Sequence, residues 1–397
     1  MLRFHSASTR MVNSRRAIAE CLEAALGEDD QDCDLIVIHA SMGHQFAALA
    51  EEARRLAPSA RVVGSSCCGV VGREGVSESM KDVAIMAVRG PELAVAHVDQ
   101  VFGHNSYDKC LELAAAIQAA QPDTRFVYLL APGIDIQDDR CIAAFEAVLG
   151  AGVTIFGATS SDNMRGVTSY QIVDDKVYEH AAFAIGFADP TLEAVTQATH
   201  GFVAVGEPMI VTKADGNRIL ELDGRPAWQV YTERLGLPAT ATCADTIPVG
   251  ALAEALPAAE AEEYGNDHIL RVVTKVDPDG AMHYATTIAV GAQLFLTIRD
   301  EDRIFNDMDR MMAQMVSQGR GRPVAAVFHA DCLARGRSLF DRVMKEELVS
   351  RMQHPLSTGE GAPPWLGMYG FGEFARLGGR NEYHNYTTAI YALFREG

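Results

Sequence analysis

A strand-helix-strand pattern recurs three times along the chain, and this repeat limits the fold more than any other feature of the sequence. In each copy an apolar strand precedes a helix, and a second apolar strand follows it. Strands joined in this way lie parallel in one sheet, so the repeat predicts an α/β fold with mixed sheets. The predicted strand, helix and strand of the three copies span 35–41, 46–56 and 61–64; 125–132, 139–149 and 153–162; and 324–332, 338–352 and 365–373.

The second strand of each copy ends in glycine and other small residues, as in the segment VVGSSCCG at 62–69. Ligands of parallel sheets collect outside the carboxyl ends of the strands, where three such segments would meet. We therefore predict two domains around a shared ligand site, with Ser65 and Ser66 as ligand contacts. The alternative interpretation is that these glycine and serine residues only allow strands and helices to pack closely, without contacting a ligand. The other copies lack Cys67 and Cys68, so we interpret these thiols as buried fillers.

The pattern divides the chain near residue 200. Residues 1–32 are predicted to be a helical lead-in, and residues 33–200 an α/β domain with two internal copies. Residues 201–397 are predicted to be a second α/β domain, in which hairpins precede the third copy. The alanine-rich, acidic segment 251–263 is predicted to be a surface insertion.

Composition and charge exclude several classes of protein. A net charge of −19 and a pI near 5.0 argue against nucleic-acid binding, which needs a concentrated basic surface. The longest apolar stretch, near 287–298, is too short to span a bilayer, and no secretory signal is evident at the N-terminus. The eight cysteines include no Cys-x-x-Cys pair, which fits a reducing compartment. We therefore expect a cytoplasmic protein without membrane insertion.

Four ordered motifs resemble those of the FIST proteins, which are built of a FIST N and a FIST C domain. The resemblance covers nearly the whole chain from about residue 33. The motifs are VVGSSCCG at 62–69, VTKADGN at 211–217 with LDGRPA at 222–227, FHADCLARGR at 328–337, and YGFGEFARLGG at 369–379 with YHNYT at 383–387.

This resemblance implies that 33–200 is a FIST N-like domain and 201–397 a FIST C-like domain. It also implies a bacterial sensory protein that binds a small ligand and signals to a partner such as a histidine kinase or a cyclic-di-GMP enzyme. A stand-alone chain resembles the FIST haemoproteins that sense nitric oxide, so haem is the implied cofactor. The alternative is a sensor of a small, amino-acid-like metabolite. A homodimer is compatible with these expectations, and we predict no enzymatic activity.

The motifs supply the candidate ligand residues. Arg335 and Glu373 could bind the carboxylate and ammonium ends of an amino acid, or could form an internal ion pair. Arg337 is a second candidate partner for the Glu373 carboxylate. The remaining candidates, which include directional amide and hydroxyl groups, are Cys332, Gly372, His384, Asn385 and Thr387.

Three histidines are candidate axial ligands of haem iron: His39, His329 and His384. His39 and His329 occupy similar places near the ends of first strands, and the alternative for each is a satisfied histidine of the core. A second alternative function is a cysteine-dependent enzyme, because a Cys332 thiolate beside histidine and arginine would be a nucleophile. No catalytic signature surrounds Cys332, so we assign no catalytic residue.

Overall fold

The computed structural model describes residues 1–27, 32–337 and 339–396, and it confirms a mixed α/β architecture. The first two copies of the repeat follow each other directly. The first comprises β1 (Arg3–Thr9), α1 (Ser14–Leu26), β2 (Leu35–Ser41), α2 (Phe46–Leu56), β3 (Arg61–Cys67), β4 (Val70–Gly72), β5 (Gly75–Ser77) and β6 (Val83–Arg89). The second comprises β7 (Leu93–Val98), α3 (Ser106–Ala120), β8 (Phe126–Ala131), α4 (Asp138–Leu149), β9 (Thr154–Thr159), β10 (Gln171–Val173), β11 (Lys176–Tyr178) and β12 (Ala182–Phe187).

The third copy begins with β13 (Leu192–Thr199) and is interrupted by an inserted sheet. The insertion comprises β14 (Phe202–Asp215), β15 (Arg218–Leu222), β16 (Arg225–Pro226), α5 (Ala227–Leu235), α6 (Cys243–Thr246), β17 (Ala251–Ala255), α7 (Ala258–Tyr264), β18 (His268–Arg271), β19 (Lys275–Val276), β20 (Met282–His283) and β21 (Gln293–Arg299). The copy then continues with α8 (Glu301–Gly319), β22 (Val324–Cys332), α9 (Arg342–Gln353), β23 (Trp365–Gly370), β24 (Glu373–Leu377), β25 (Arg380–His384) and β26 (Thr388–Arg395). Short 3-10 helices lie at Gly103–Asn105, Leu333–Arg335 and His354–Leu356.

Each copy builds one six-stranded sheet, and each sheet receives its last two strands from another copy. The orders are β1-β6-β2-β3-β10-β11, β7-β12-β8-β9-β24-β25 and β13-β26-β22-β23-β4-β5. The pairs β2–β3, β8–β9 and β22–β23 are parallel, as the repeat predicts. The hairpins β4–β5, β10–β11 and β24–β25 cross to the sheets of copies three, one and two. This cyclic exchange joins the three copies into one body.

The three sheets enclose an apolar centre, and their helices cover the outside. Aromatic residues from two copies fill the centre, where the rings of Tyr128 and Phe156 lie 5.2 and 5.7 Å from that of Phe328. On the outer faces, α1 and α2 cover the first sheet, α3 and α4 the second, and α8 and α9 the third. The buried methionines of α8 belong to this outer core, as expected for core packing.

Three features differ from the sequence prediction. The predicted lead-in 1–32, of which 28–31 lie outside the described residues, contains a strand as well as a helix, because β1 pairs with β6. The predicted surface insertion at 251–263 contains β17, which pairs with β18 and β21 in the inserted sheet. The predicted third-copy helix begins at Arg342, and Ser338 lies outside the described residues.

The predicted boundary near residue 200 lies between β13 and β14, and strands from both sides of it share the second and third sheets. Among the described residues, none of the helices has the length and apolar character required to cross a membrane.

Candidate functional site

The second strands of the three copies converge, as the small residues at their ends allow. Ser66 Oγ donates to the Ser161 carbonyl (2.7 Å), and the Ser161 amide donates to the Ser66 carbonyl (3.1 Å). The Cys68 amide donates to the Tyr369 carbonyl (3.0 Å), and Ser161 Oγ donates to the same oxygen (2.7 Å). Segments of all three copies are therefore joined by direct hydrogen bonds, and we call this contact the strand-end junction.

The structure places Ser65 and Ser66 inside the packed protein, with their hydroxyls bonded to other residues. Ser66 Oγ also accepts a hydrogen bond from the Tyr170 amide (2.8 Å), and Ser65 Oγ lies 2.9 Å from His39 Nδ1. Both serines are fully buried. These hydroxyls stabilise contacts between copies, and binding a ligand would require breaking those hydrogen bonds.

A second group of polar residues lies at the carboxyl end of β22, beneath the inserted sheet. The Cys332 amide donates to the Thr387 carbonyl (3.0 Å), and Thr387 Oγ1 lies 3.0 Å from the Tyr264 hydroxyl of the insertion. The Arg271 guanidinium of the insertion donates to the Tyr383 carbonyl (2.8 Å). We call this group the polar cluster; it consists of Tyr264, Arg271, Asp331, Cys332, Arg335, Glu373, His384, Asn385 and Thr387.

The arginine of the cluster is paired with a residue that the sequence analysis did not select. Arg335 Nε donates to Asp331 Oδ1 (2.9 Å), and its Nη1 donates to the His200 carbonyl (3.0 Å). Burial raises the pKa of Asp331 to about 6, although Arg335 opposes that shift. The predicted ion pair between Glu373 and an arginine is therefore wrong, and Arg337 instead contacts Glu78.

Glu373 and His384 face each other across two strands, and the Thr387 amide and the Cys332 thiol lie near enough to the Glu373 carboxyl to lower its pKa in part. They are directly opposed in the antiparallel ladder of β24 and β25, so their side chains lie on one face of the sheet. Within the described ranges, neither the carboxylate oxygens nor the ring nitrogens make a hydrogen bond of normal geometry. The relative exposures of Glu373 and His384 are 0% and 1%.

The environment opposes the charged form of both side chains. Burial, followed by the neighbouring Asp331, raises the pKa of Glu373 well above its usual value against the effect of Arg335. Burial, followed by Arg271, lowers the pKa of His384 to about 3. The cluster therefore presents an unpaired carboxyl and a neutral imidazole in a low-dielectric interior, where polar groups require partners.

Backbone features fix the two strands that carry this pair. Gly372 precedes Glu373, and a Cβ at this position would overlap the Tyr383 hydroxyl. Tyr386, which lies between Asn385 and Thr387 in the chain, is buried. Its φ of 52° is a left-handed conformation that is uncommon for a bulky residue. Strained backbone of this kind concentrates at functional sites.

The inserted sheet closes over the cluster through groups that sequence reasoning missed. The Val272 amide donates to Asn385 Oδ1 (3.2 Å), in addition to the contacts of Tyr264 and Arg271. The Tyr264 ring lies 5.5 Å from the His384 ring. These residues come from a segment without a recognisable motif, and only tertiary folding brings them to the site.

A further unpaired carboxyl lies on the opposite face of the β24–β25 hairpin. Asp138, the first residue of α4, is fully buried, and neither of its oxygens makes a hydrogen bond of normal geometry within the described ranges. The Tyr383 hydroxyl lies near enough to lower its pKa, but burial raises that pKa well above the usual value. The sequence analysis did not select Asp138.

The candidate histidines do not fit a haem site. Both ring nitrogens of His39 are hydrogen-bonded, to Ser65 and to the Tyr128 hydroxyl (3.0 Å), in the apolar centre of the molecule. His329 lies on the outer face of the third sheet, where it bonds Thr388 (2.9 Å). His39 and His329 both lie near the ends of first strands, but their side chains face different cores.

The ring nitrogens of His384 make no hydrogen bond of normal geometry in the described part of the chain, but the neighbouring Tyr264 ring and the inserted sheet enclose them. No group of three or more histidine, cysteine, aspartate or glutamate residues is arranged for a metal ion in the part of the chain that the structure describes.

Comparison with known families identifies the class of protein. The sequence model of the FIST N domain matches residues 34–225, and that of the FIST C domain matches residues 227–376. Together the two matches cover most of the chain. The chain therefore belongs to the FIST-domain proteins, and this membership favours a sensory, ligand-binding role.

Curated relatives are similar over different lengths. An uncharacterised protein of Mycobacterium bovis is 28% identical over 217 residues, which are 53% of each chain. The chain thus spans about half the length of this relative. An uncharacterised protein of Mycobacterium tuberculosis is 25% identical over 343 residues, which are 84% of each chain.

Two solved structures align with the whole chain at low similarity. A cyanuric acid hydrolase has a TM-score of 0.33 at 11% identity, and one from A. caulinodans has a TM-score of 0.32 at 9% identity, each covering 100% of both chains. The prediction of no enzymatic activity is corrected by this finding, because both structures are of an enzyme. The low TM-scores assign no reaction to this chain.

Proposed function

We propose that the chain is a sensory protein that binds a small polar metabolite in the polar cluster. The observation that carries this proposal is the pair Glu373 and His384, which are buried, opposed and without hydrogen-bond partners in the described chain. Leaving a buried polar group unpaired costs about 1–3 kcal/mol. A ligand with complementary groups would remove that cost by completing the missing hydrogen bonds.

The position of the inserted sheet connects binding to signalling. Tyr264, Arg271 and Val272 of the insertion contact the hairpin and loop that carry the unpaired residues. A ligand bound beneath these contacts would change how the inserted sheet packs against the three six-stranded sheets. We propose that a signalling partner, such as a histidine kinase or a cyclic-di-GMP enzyme, responds to this change.

The contacts of Arg335 narrow the ligand class. The Arg335 guanidinium already donates to the Asp331 carboxylate and the His200 carbonyl, so its charge is paired before any ligand binds. An amino-acid-like ligand would therefore depend first on Glu373 and His384. This assignment replaces the two-ended recognition by Arg335 and Glu373 that the sequence suggested.

The test is a thermal-shift screen of the full chain with small metabolites that are cationic, neutral or anionic. At a ligand concentration of 100 times Kd, binding stabilises a protein by about 2.7 kcal/mol, which raises Tm measurably. The Glu373→Gln variant should lose most of the shift. The control Glu347→Gln, which alters an exposed glutamate on α9, should keep it. Absence of any shift, or an equal shift in Glu373→Gln, would contradict the proposal.

A further inference from the structure

Charge pairing inside the polar cluster is complete except at one residue. Arg335 is paired with Asp331. Arg271 Nε donates to Glu254 Oε1 (2.6 Å), so the second arginine of the cluster also has its own carboxylate. Glu373 is the cluster carboxyl that no cation of the described chain pairs with in an ion pair or a hydrogen bond.

The hydrogen bonds of the cluster likewise leave Glu373, and also His384, without partners of normal geometry among the described residues. The guanidinium groups of Arg335 and Arg271 already donate to Asp331, Glu254 and backbone carbonyls. The atoms without partners are the two oxygens of Glu373 and the two ring nitrogens of His384. A carboxyl that ionises beside a cation only accepts hydrogen bonds, and a neutral imidazole has one accepting and one donating nitrogen. A charged hydrogen-bond donor would therefore satisfy the accepting atoms of Glu373 and His384 and would stabilise the ionised form of Glu373.

We propose that the ligand of the polar cluster is a protonated amine, whose ammonium group binds the Glu373 carboxylate and the accepting nitrogen of His384. This inference rests on the proposed function and assigns the class of its ligand. An ammonium group offers three N–H donors, and its positive charge balances the carboxylate in the buried interior. A ligand carboxylate is not required to balance charge, because Arg335 and Arg271 are already paired with Asp331 and Glu254.

A metal ion is a weaker candidate for the same position. The described chain contains no group of three or more histidine, cysteine, aspartate or glutamate residues arranged for a metal ion. The hard divalent cations prefer six or more oxygen ligands, whereas one carboxylate and one imidazole match the few directional bonds of an ammonium group. Metal binding is therefore an outcome that the experiment must separate from amine binding.

The experiment is isothermal titration of the full chain at constant ionic strength. The probes are ethylammonium and 1,4-diaminobutane, with ethanol and acetate as neutral and anionic compounds of similar size to ethylammonium. Potassium and magnesium chloride are the metal probes. We expect an amine to bind the wild type and to bind Glu373→Gln about 10- to 100-fold more weakly, the effect of losing a charged hydrogen bond.

Asp138→Asn is the matched control. Asp138 is also a buried carboxyl without a hydrogen bond of normal geometry in the described ranges, but it lies on the other face of the hairpin. This variant should bind the amine like the wild type. A loss of binding in Asp138→Asn together with retention in Glu373→Gln would overturn the assignment.

The remaining outcomes separate this inference from the proposed function. No amine binding, stronger binding of acetate or ethanol, or binding of a metal ion in place of the amine would overturn the inference. The proposed function would survive if the metabolite screen still found a neutral or anionic ligand that depends on Glu373. It would fail together with the inference if no compound of any charge bound through Glu373.

Discussion

The strand-end junction and the polar cluster both lie where strands of the repeat end, but only one of them is completed by the protein. At the junction, the Ser66 hydroxyl donates to Ser161 and accepts from Tyr170. In the cluster, Glu373 and His384 lack such bonds within the described ranges. Polar groups near strand ends are thus hydrogen-bonded by the protein at the junction, whereas in the cluster a buried pair lacks such bonds, and this is the position that we propose for a ligand.

The largest expected loss of stability comes from breaking the ion pair between Arg335 and Asp331 in the polar cluster. Arg335→Met leaves the buried Asp331 carboxylate without its partner and should lower the free energy of unfolding by about 3–5 kcal/mol. Urea denaturation measures this loss. The double variant Asp331→Leu with Arg335→Met removes both charges and should recover much of the stability. A loss below about 1 kcal/mol in the single variant would contradict the pairing.

The next effect concerns the unpaired carboxyl and depends on pH. Because the folded-state pKa of Glu373 is raised, its contribution to stability is full below pH 4.5 and falls as pH rises toward the folded pKa. Glu373→Gln removes this loss, so its stability advantage over the wild type should grow by up to about 2.7 kcal/mol between pH 5 and pH 7. Urea denaturation at the two pH values measures the difference. An advantage that shrinks with rising pH would show that Glu373 is stabilised as a carboxylate.

A smaller loss of stability is expected from a substitution at the strand-end junction. Ser66→Ala leaves the Tyr170 amide and the Ser161 carbonyl without this partner, and should cost about 2 kcal/mol. The same urea titration applies. Ser59→Ala, at an exposed serine, is the control and should change stability by less than about 0.5 kcal/mol. Equal effects of the two variants would contradict the structural role of the junction.

The smallest effect concerns the thiol of the cluster. Burial, followed by Glu373, raises the pKa of Cys332 well above its usual value, so its thiolate fraction near pH 7 should be very small. Iodoacetamide should therefore label Cys332 far more slowly than the less buried Cys243. Mass spectrometry of digested protein gives both rates. Faster labelling of Cys332 would indicate an activated nucleophile in the cluster.

The three copies were predictable because each is a local pattern of apolar periodicity. The exchange of hairpins was not, since β4 pairs with β23 and β24 with β9 across long separations in sequence. The strand β1 was missed because its sequence RFHSAST alternates weakly, and its pairing with β6 makes it a strand.

The candidate site also has residues that the sequence predicted and residues that it did not. Cys332, Arg335, Gly372, Glu373, His384, Asn385 and Thr387 were selected from motifs, and the structure brings them into one region. The ion pair of Arg335 with Glu373 was wrong, because Arg335 pairs with the Asp331 carboxylate, four residues earlier in the chain. Tyr264 could not be selected, because the alanine-rich acidic segment before it gives no sign that its end enters a buried site, and Arg271 lies in a short strand without a recognisable motif.

A crystal structure of the protein grown with ethylammonium chloride would test the central claim most directly. The account predicts a nitrogen about 3 Å from the Glu373 carboxylate, together with an unchanged hydrogen bond between Ser66 and Ser161. An ethylammonium ion found only elsewhere on the molecule, with Glu373 still unpaired, would contradict it.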